Sequence, residues 1–344
     1  MKSLSLFIAA IGLLCFASCS KSGTTNNNNN VAPTNLTLVA DVSMDNSGNV
    51  AFTATATNAV SYEYDFGNGN FQNVASGKVT YKYPAAGTYT VNVVAKSSGG
   101  QTASKSATIT VAIAVSTIWS DEFNTPGAPD PSKWGYDIGN GGGGWGNGEL
   151  QYYTNRSDNA VVSGGTLKII AKKENFSGFA YTSARLLSKG KFACKYGKIE
   201  IRAKLPFGVG TWPAIWMLGN NINSTGWPAC GEIDIMEHKG NDLNKIFGTV
   251  HHPGHSGGNA DGGTTVISNA TSAFHKYAVE WSAAAIKFSV DDVVFYTFAN
   301  TSSLPFNQDF FMLLNVAMGG VFGGTVDASF TSATMEVDYI RVYQ

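Results

Sequence analysis

The sequence predicts an all-β protein in which a small β-sandwich precedes a larger sandwich or jelly roll. Runs in which apolar and polar residues alternate recur along the chain, and no long stretch shows helical periodicity. The 344 residues include 39 glycines and are 12% aromatic but only 14% charged, which is typical of secreted β-proteins with many turns. The formal net charge of −1 excludes nucleic acid and anionic membrane surfaces as electrostatic partners and favours a neutral substrate.

The N-terminus has the pattern of a lipoprotein signal peptide over residues 1–19. Lys2 precedes an apolar run over 4–16 that is too short to span a bilayer as a permanent helix. Small residues then lead to Cys19, as in a bacterial lipobox whose cysteine becomes lipidated, although cleavage by a different signal peptidase stays open. We therefore expect an exported outer-membrane lipoprotein, periplasmic or surface-facing, in which residues 20–32 form a disordered polar tether.

Residues 33–113 form the first predicted domain. Alternation is clear in three runs, at 36–43, 51–59 and 87–97. The segments YEYDFGNG (62–69) and YKYPAAGTYTVNVVA (81–95) resemble a polycystic-kidney-disease (PKD) module, an immunoglobulin-like sandwich, with Tyr64 and Asn68 replacing the usual Trp and second Asp. The segment has no carboxylate pair, aromatic platform or metal-ligand cluster in its sequence. A spacer role is therefore favoured over weak carbohydrate binding.

Residues 118–344 form the second predicted domain, since the composition shifts toward Trp, Gly and Phe after a linker at 111–117. Strand patterns recur at 166–173, 196–206, 274–282, 285–298, 309–319 and 334–344. Asp291 and Asp292 mark a hairpin turn. The residues on both faces of many strands are bulky, which predicts two stacked sheets with one face lining a groove.

The run EIDIME at 232–237 places Glu232, Asp234 and Glu237 in an otherwise apolar segment. Charged groups beside a core are costly unless they face water, a ligand or one another. In a strand, Glu232 and Asp234 point to one face and the isoleucines to the other, whereas Glu237 is out of phase. One extra residue, bulged between Asp234 and Glu237, would bring all three acids to one surface.

Two carboxyl groups held close together are the minimum equipment for glycoside hydrolysis with retention of configuration. A solvated strand edge is the plainer interpretation, but such an edge would not need the tight flanks Pro228, Cys230 and Gly231. A calcium site would take its ligands from a flexible loop rich in Asp and Asn rather than from a strand.

Tryptophans gather near the acids in sequence. Trp212 and Trp216 precede them, and Trp145 lies in a glycine-rich loop over 139–154. Indole faces stack on the C–H faces of sugar rings, so Trp212 and Trp216 fit a cleft as well as a core. Three further tryptophans of the domain are expected in the core: Trp119, Trp134 and Trp281.

His251, His252 and His255 form the motif HHPGH, in which Pro253 and Gly254 predict a turn. Without a fixed helical spacing, zinc binding is disfavoured, and a cleft loop that donates hydrogen bonds to sugar hydroxyls is preferred.

Two cysteines remain outside the signal region, Cys194 and Cys230. They could pair in an oxidising compartment, but two buried thiols are slightly favoured.

The second domain resembles glycoside hydrolase family 16, and more specifically its bacterial endo-β-1,3-glucanase, or laminarinase, branch. The resemblance rests on motifs in collinear order: DEF (121–123), GELQYYT (148–154), SARLLSKGKF (183–192), YGKIEIRAKLP (196–206), WPAIWML (212–218), GEIDIMEH (231–238), GTVHHPG (248–254), LLNVAMGG (313–320) and VDYIRVY (337–343). It implies a jelly roll with an open cleft, with Glu232 as nucleophile and Glu237 as acid/base. Asp234 would hydrogen-bond Glu232 and help set the protonation states.

The resemblance also implies binding residues. Five side chains would line the subsites: Trp212, Trp216, Arg185, Asn147 and His251. A structural calcium away from the cleft would take Glu122, the backbone carbonyl of Gly165, and Asp338. No cofactor is expected for catalysis.

The expected function is endo-hydrolysis of β-1,3-glucosidic bonds in laminarin-like glucans by a retaining mechanism, carried out by a monomer. The alternatives are the same chemistry on mixed-linkage β-1,3-1,4-glucan or on a galactan, and a non-catalytic glucan-binding lectin. The presence of Glu232, Asp234 and Glu237 favours the enzyme, because a lectin needs no proton donor.

Overall fold

The computed structural model describes residues 31–344, and the chain divides into two compact units between Ala114 and Val115. Both units are built of β-strands, which confirms the predicted all-β class. Within residues 31–344, none of the helices combines the length and the apolar character that crossing a bilayer requires. The predicted signal peptide and residues 20–30 of the predicted tether lie outside the described residues.

The first unit is a sandwich of seven strands. They are β1 (Thr34–Val42), β2 (Asn49–Thr57), β3 (Ser61–Asp65), β4 (Phe71–Val74), β5 (Lys78–Lys82), β6 (Gly87–Lys96) and β7 (Thr102–Val111). One sheet has the order β1-β2-β5 and the other β4-β3-β6-β7. The alternating residues of these strands meet in a core that includes Phe52, Tyr64, Phe66 and Tyr83, all at most 1% exposed. This arrangement confirms an immunoglobulin-like sandwich of two facing sheets.

The second unit contains seventeen strands. The first nine are β8 (Thr117–Asp121), β9 (Gly135–Asp137), β10 (Gln151–Tyr153), β11 (Ala160–Ser163), β12 (Thr166–Phe176), β13 (Phe179–Ser183), β14 (Arg185–Leu187), β15 (Gly197–Lys204) and β16 (Thr211–Gly219). The remaining eight are β17 (Glu232–His238), β18 (Lys245–His251), β19 (Asp261–Val266), β20 (His275–Trp281), β21 (Ala285–Val290), β22 (Val293–Ala299), β23 (Phe310–Met318) and β24 (Ser332–Tyr343).

These strands form two sheets. The ten-stranded sheet has the order β10-β13-β12-β24-β15-β20-β21-β22, with β11 paired to β12 and β8 paired to β24. The seven-stranded sheet has the order β19-β18-β17-β16-β23-β14-β9. Strands that are distant in sequence lie side by side in both sheets, as expected of a jelly roll.

Helical segments in the second unit are short. They are α1 (Ile222–Thr225), α2 (Gly320–Gly323), a 3₁₀ turn (Gly257–Asn259) and a π-type turn (Gly144–Gly148). The π-type turn lies in the glycine-rich loop and includes Trp145 in the left-handed region, with φ of 57°.

The core of the second unit lies between its two sheets. The central strand β23 reads FFMLLNVAM, and all nine of its residues are buried. Phe310, Met312 and Leu314 face the main core, whereas Phe311 and Leu313 pack in a smaller cluster with Leu218 and Cys230. A strand covered on both faces reads as a continuous apolar run, and this strand accordingly has a sheet neighbour on each side and packing on each face.

Candidate active site

A cleft of about 1020 Å³ crosses the face of the seven-stranded sheet that points away from the core. Strand β16 shows how the sequence makes this face, because its residues alternate between two environments. Trp212, Trp216 and Leu218 line the cleft, whereas Ile215 and Met217 pack into the core. The period-2 alternation of a strand therefore separates the sugar-facing candidates from the core residues.

Strand β17 contains the predicted bulge. Against β16, Glu237 faces Ala214 and Asp234 faces Trp216, so three steps on β17 match two steps on β16. The pairing of β17 with β18 shifts in the same interval, between Asp234 and Glu237. The extra residue brings Glu237 to the cleft beside Glu232 and Asp234, and all three line it. The phase argument made from the sequence is confirmed.

The bulge also keeps the apolar residues of β17 in the core. Ile233, Ile235 and Met236 are each at most 1% exposed. Gly231 immediately precedes the strand and has φ of +78°, a left-handed conformation that favours glycine. A Cβ at this position would lie 2.9 Å from the ring of Phe310, so the turn that delivers Glu232 to the cleft has no room for a side chain.

Each glutamate accepts a hydrogen bond from a tryptophan. The indole N–H of Trp227 donates to Glu232 Oε2 at 2.7 Å, and that of Trp212 donates to Glu237 Oε1 at 2.9 Å. Hydrogen bonds to an ionised acceptor are among the stronger ones in proteins and fix its orientation. The two indoles therefore hold the two carboxylates in defined positions.

His251 lies next to the middle acid. Its Nε2 is 3.0 Å from Asp234 Oδ2 and 3.9 Å from Glu232 Oε1. The backbone N–H of Gly257 donates to its Nδ1 at 3.1 Å, so Nδ1 carries a lone pair and the ring proton of a neutral imidazole is on Nε2. The Nε2 atom of His251 therefore lies on the side of the acid cluster, close to Asp234 Oδ2 but without hydrogen-bond geometry.

The acid cluster holds protons more tightly than ordinary carboxyl groups do. Burial, followed by the negative charge of Asp234, raises the pKa of Glu232 to about 8. Burial also raises the pKa of Glu237 to about 6, and the charge of Glu232 adds to the shift. The pKa of Asp234 is raised as well, by burial and then by the charge of Glu237. Three carboxyl groups in one desolvated site cannot all ionise freely, so at least one proton remains near neutral pH.

The five predicted subsite residues all line this cleft: Trp212, Trp216, Arg185, Asn147 and His251. The guanidinium carbon of Arg185 lies 4.3 Å from the ring centre of Trp145 and 4.8 Å from that of Trp216. Its Nε is 3.0 Å from Asp137 Oδ2. An arginine between two indole faces is rigid and leaves its remaining N–H groups to the cleft.

A hydrogen-bonded chain behind this wall was missed by sequence reasoning. The indole of Trp216 donates to Asn315 Oδ1 at 2.8 Å, and Asn315 donates to the hydroxyl of Tyr153 at 3.0 Å. Tyr153 donates to Glu149 Oε2 at 3.1 Å, and Asn147 donates to Glu149 Oε1 at 3.1 Å. Glu149 stands alone in the glycine-rich loop and gave no periodic signal. Its position two residues after Asn147 was the one available indication that it lies near the cleft.

Trp227 was also missed as a site residue. It is 48% exposed, lies in a loop before β17, and contacts His251 with the ring centroids 5.8 Å apart and the planes tilted by 47°. The available sequence signal was a tryptophan between Gly226 and Pro228, in a predicted turn just before the acid motif.

The remaining predictions for the second unit fall in the core. Trp134 and Trp281 are both 2% exposed, and Trp119 packs partly buried against the core, which confirms the expectation for all three. Cys194 and Cys230 are free and buried, as was slightly favoured.

The predicted calcium ligands are engaged by arginines. Both carboxylate oxygens of Glu122 accept hydrogen bonds from Arg341, at 2.9 and 2.8 Å. Asp338 accepts one from Arg202 at 2.6 Å. An ion bound by these acids and the carbonyl of Gly165 would have to displace both guanidinium groups. In this arrangement the carboxylates are occupied by arginines and do not form a preorganised calcium site. The calcium assignment stays a prediction.

Comparison with known proteins identifies both units. The family model "Glycosyl hydrolases family 16" matches residues 147–341, and the model "PKD domain" matches residues 31–111. A Beta-glucanase of Rhodothermus marinus is 47% identical over 243 residues, which cover 66% of this chain and 84% of that protein. Two further relatives match over only 34% and 37% of their own length.

Solved structures agree. The laminarinase catalytic domain from Thermotoga maritima superposes with a TM-score of 0.64 at 44% identity, covering 67% of this chain and 98% of that one. LamA from Z. galactanivorans, in complex with laminaritriose and laminaritetraose, gives a TM-score of 0.61 at 47% identity, covering 66% and 98%. With a family model that matches more than half of its length, the chain belongs to glycosyl hydrolases family 16, and a PKD domain precedes its family 16 domain.

Proposed function

We propose that this glycoside hydrolase of β-glucans is a retaining endo-β-1,3-glucanase acting on laminarin-like chains. The observation that carries the proposal is the bulged strand β17, which aligns Glu232, Asp234 and Glu237 on one wall of a tryptophan-lined cleft. The relatives that are β-glucanases and laminarinases support the substrate class. The cleft lies along an open sheet face, which suits attack on internal bonds of a polymer.

In the proposed mechanism Glu232 attacks the anomeric carbon and forms a glycosyl ester, while Glu237 gives its proton to the departing oxygen. Water then attacks the same carbon, Glu237 takes the proton of that water, and Glu232 leaves as a carboxylate. Two inversions give net retention. The raised pKa of Glu237, about 6, keeps a proton available on it in mildly acidic solution.

Asp234 holds the proton that the nucleophile must lack. Burial raises the pKa of Glu232 to about 8 in the free cleft, and the charge of Asp234 and a hydrogen bond shared with it add to the shift. The nucleophilic role requires that the shared proton reside on Asp234. Two features favour that distribution: the indole N–H of Trp227 donates to Glu232, and burial together with the charge of Glu237 raises the pKa of Asp234.

Neutral sugar rings suit the walls of the cleft. Trp145, Trp212, Trp216 and Trp227 offer indole surface, and Arg185 and Asn147 offer hydrogen-bond donors. The bound laminaritriose and laminaritetraose of the Z. galactanivorans relative support a β-1,3-linked chain as the occupant. Mixed-linkage β-1,3-1,4-glucan and galactans are the competing polymers.

Product analysis on laminarin, lichenan and agarose tests the proposal. We expect laminarin to be cut to short oligosaccharides faster than the other two polymers. The variant Glu232→Gln should lose several orders of magnitude in kcat, as removal of a nucleophile does. Glu280→Gln, a change at an exposed position of β20, is the matched control and should behave as wild type. Intact laminarin beside depolymerised lichenan or agarose would refute the substrate assignment, and full turnover by Glu232→Gln would refute the nucleophile.

We also propose export as an outer-membrane lipoprotein anchored through Cys19. The proposal rests on the apolar run and the small residues before that cysteine. Metabolic labelling with radioactive palmitate should mark the wild-type chain and not Cys19→Ser. Label on both chains, or on neither, would remove the anchor from the account.

A further inference from the structure

A tight hairpin after β18 brings two histidines side by side. The backbone N–H of His252 donates to the carbonyl of His255, and that of His255 to the carbonyl of His252, both at 2.9 Å. Pro253 and Gly254 form the turn between them, with Gly254 at φ of +84° as a type II turn requires. Directly opposed residues of a hairpin project to the same face. The two imidazole rings accordingly lie 4.8 Å apart and nearly parallel, with 17° between their planes.

A carboxylate completes the group. Asp261, the first residue of β19, pairs with Val250 across the sheet. Its Oδ2 lies 3.0 Å from His252 Nε2 and 3.0 Å from His255 Nδ1. The three ligand atoms lie within 4.8 Å of one another. The sequence disfavoured zinc because the turn in HHPGH lacks a fixed helical spacing. In the folded hairpin two of these histidines lie together, and the third ligand comes from the next strand.

We propose that His252, His255 and Asp261 bind a divalent transition-metal ion of the zinc class. Imidazole and carboxylate together are ligands that zinc prefers, whereas calcium and magnesium prefer oxygen alone. Zinc bonds of about 2.0–2.1 Å at a tetrahedral angle separate two ligand atoms by about 3.4 Å. The two nitrogens each lie 3.0 Å from Asp261 and within 4.8 Å of each other, so binding requires a rearrangement of about an ångström. Water supplies the remaining coordination, since His255 is half exposed.

The site is held in place from behind. The ring of His252 packs against Phe298 and Phe306, with centroids 5.6 and 5.9 Å away, and its side chain is 8% exposed. A ligand whose rotamer is fixed by packing loses little entropy when the ion binds. The group is thus partly organised before binding.

The ion would stabilise a wall of the cleft. His255 and Asp261 flank the segment 256–260, of which Gly257, Gly258 and Ala260 line the cleft. Gly257 is the residue whose N–H donates to Nδ1 of His251. Metal bound at both ends of this segment restricts its opening, so amide exchange over 256–260 should slow when the site is filled.

Titration calorimetry with zinc chloride on the full, metal-free chain without a histidine tag tests the proposal. We expect one ion per chain. Asp261→Asn and His255→Ala each remove a ligand and should weaken binding by more than the roughly 10–100-fold lost when an outer-shell partner is removed. Asp291→Asn is the matched control, because Asp291 lies 2.7 Å from the single histidine His275. It should leave the affinity unchanged.

Glu232→Gln separates this site from the acid cluster, since Glu232, Asp234 and His251 also offer three ligand atoms. The proposal requires that Glu232→Gln bind zinc as tightly as wild type and that zinc slow amide exchange over 256–260. It is overturned if wild type binds no zinc, if Asp261→Asn binds as tightly as wild type, or if Glu232→Gln abolishes binding. This result is independent of the proposed β-1,3 specificity, because it is read without substrate.

Discussion

Two tryptophan N–H groups contact the two cleft glutamates, one each, so the two carboxyl groups can be altered separately. Both carboxyl groups are desolvated and both have raised pKa values. Each accepts one indole hydrogen bond, Glu232 from Trp227 and Glu237 from Trp212. Each bond lowers the pKa of its acceptor, so its loss raises that pKa. Under the proposed roles, the bond to Glu232 affects the acidic limb of the pH–rate profile and the bond to Glu237 affects the alkaline limb.

Trp227→Phe should move the acidic limb of kcat/KM to higher pH, because the nucleophile Glu232 must be ionised to react. Trp212→Phe should move the alkaline limb to higher pH, because the acid Glu237 must keep its proton. Loss of a hydrogen bond to a charged group costs about 1.5–3 kcal/mol, or roughly tenfold to hundredfold in kcat/KM if it is fully expressed in the transition state. Full pH–rate profiles of the two variants beside wild type measure the shifts.

Phenylalanine removes the indole N–H but keeps an aromatic ring in place, so a shifted limb reports the lost hydrogen bond rather than lost packing. Reversed limbs, with Trp227→Phe acting on the alkaline side, would exchange the roles of Glu232 and Glu237.

The raised pKa of Glu237 also predicts a stability cost. Its folded pKa of about 6 exceeds the 4.5 of an ordinary glutamate, so burial costs the folded state stability once Glu237 ionises. Stability is lost as pH rises through about 6, by about 2 kcal/mol for a shift of this size. Glu237→Gln, which never ionises, should unfold at higher denaturant concentration than wild type at pH 8 and equally at pH 4. Glu280→Gln, at an exposed position, should show no such difference. A Glu237→Gln variant no more stable than wild type at pH 8 would contradict the desolvation of this group.

At the scale of elements, the bulge in β17 is the feature that the sequence predicted best. Parity alone required an extra residue between Asp234 and Glu237, and the pairing with β16 places it there. Parity could not decide whether Trp216 faces the core or the cleft, because both environments accept indole. That choice depends on which face of β16 the other sheet covers, and this is a tertiary property.

Deletion of Ile235 tests the bulge. The shortened strand would read Glu-Ile-Asp-Met-Glu, in which regular alternation alone keeps all three acids on the cleft face. Loss of a buried isoleucine side chain should cost about 2–5 kcal/mol of stability, but measurable hydrolysis of laminarin should remain below the lowered Tm.

Deletion of Ile233 is the matched control. It leaves the bulge but shifts Glu232 by one residue, toward the core face, and should abolish hydrolysis. Equal loss of activity in both deletions, with both chains folded by circular dichroism, would show that parity is not what positions the acids.

At the scale of the whole molecule, the sequence predicted two β-sandwiches and the family of the larger one. The motifs of the larger domain follow one another along the sequence and supply most of the residues that line the cleft, which include Asn147 and Asn315. Two features could not be predicted: the series of hydrogen bonds from Trp216 to Glu149, and the contact between His255 and Asp261. Each joins residues that only the folded sheet brings together. Long-range hydrogen bonds between single polar residues leave no periodic trace in a sequence.

The two units have separate cores, and every cleft residue follows Val115. A chain starting at Val115 should therefore keep its kcat/KM on soluble laminari-oligosaccharides within about twofold, the scatter expected of independent sites. Steady-state kinetics of both chains on the same oligosaccharide measures this. A tenfold fall in the shortened chain, with an unchanged Tm, would mean that the PKD domain takes part in catalysis.

The most direct measurement of the central claim is azide rescue of Glu237→Ala on an activated laminaribioside. With its acid/base removed and Glu232 intact, the enzyme should form the glycosyl ester, and azide should attack it from the opposite face. The account predicts recovered turnover and a β-glycosyl azide by proton NMR. An α-glycosyl azide would show that residue 237 is the nucleophile, and absence of any rescue would contradict its role as acid/base.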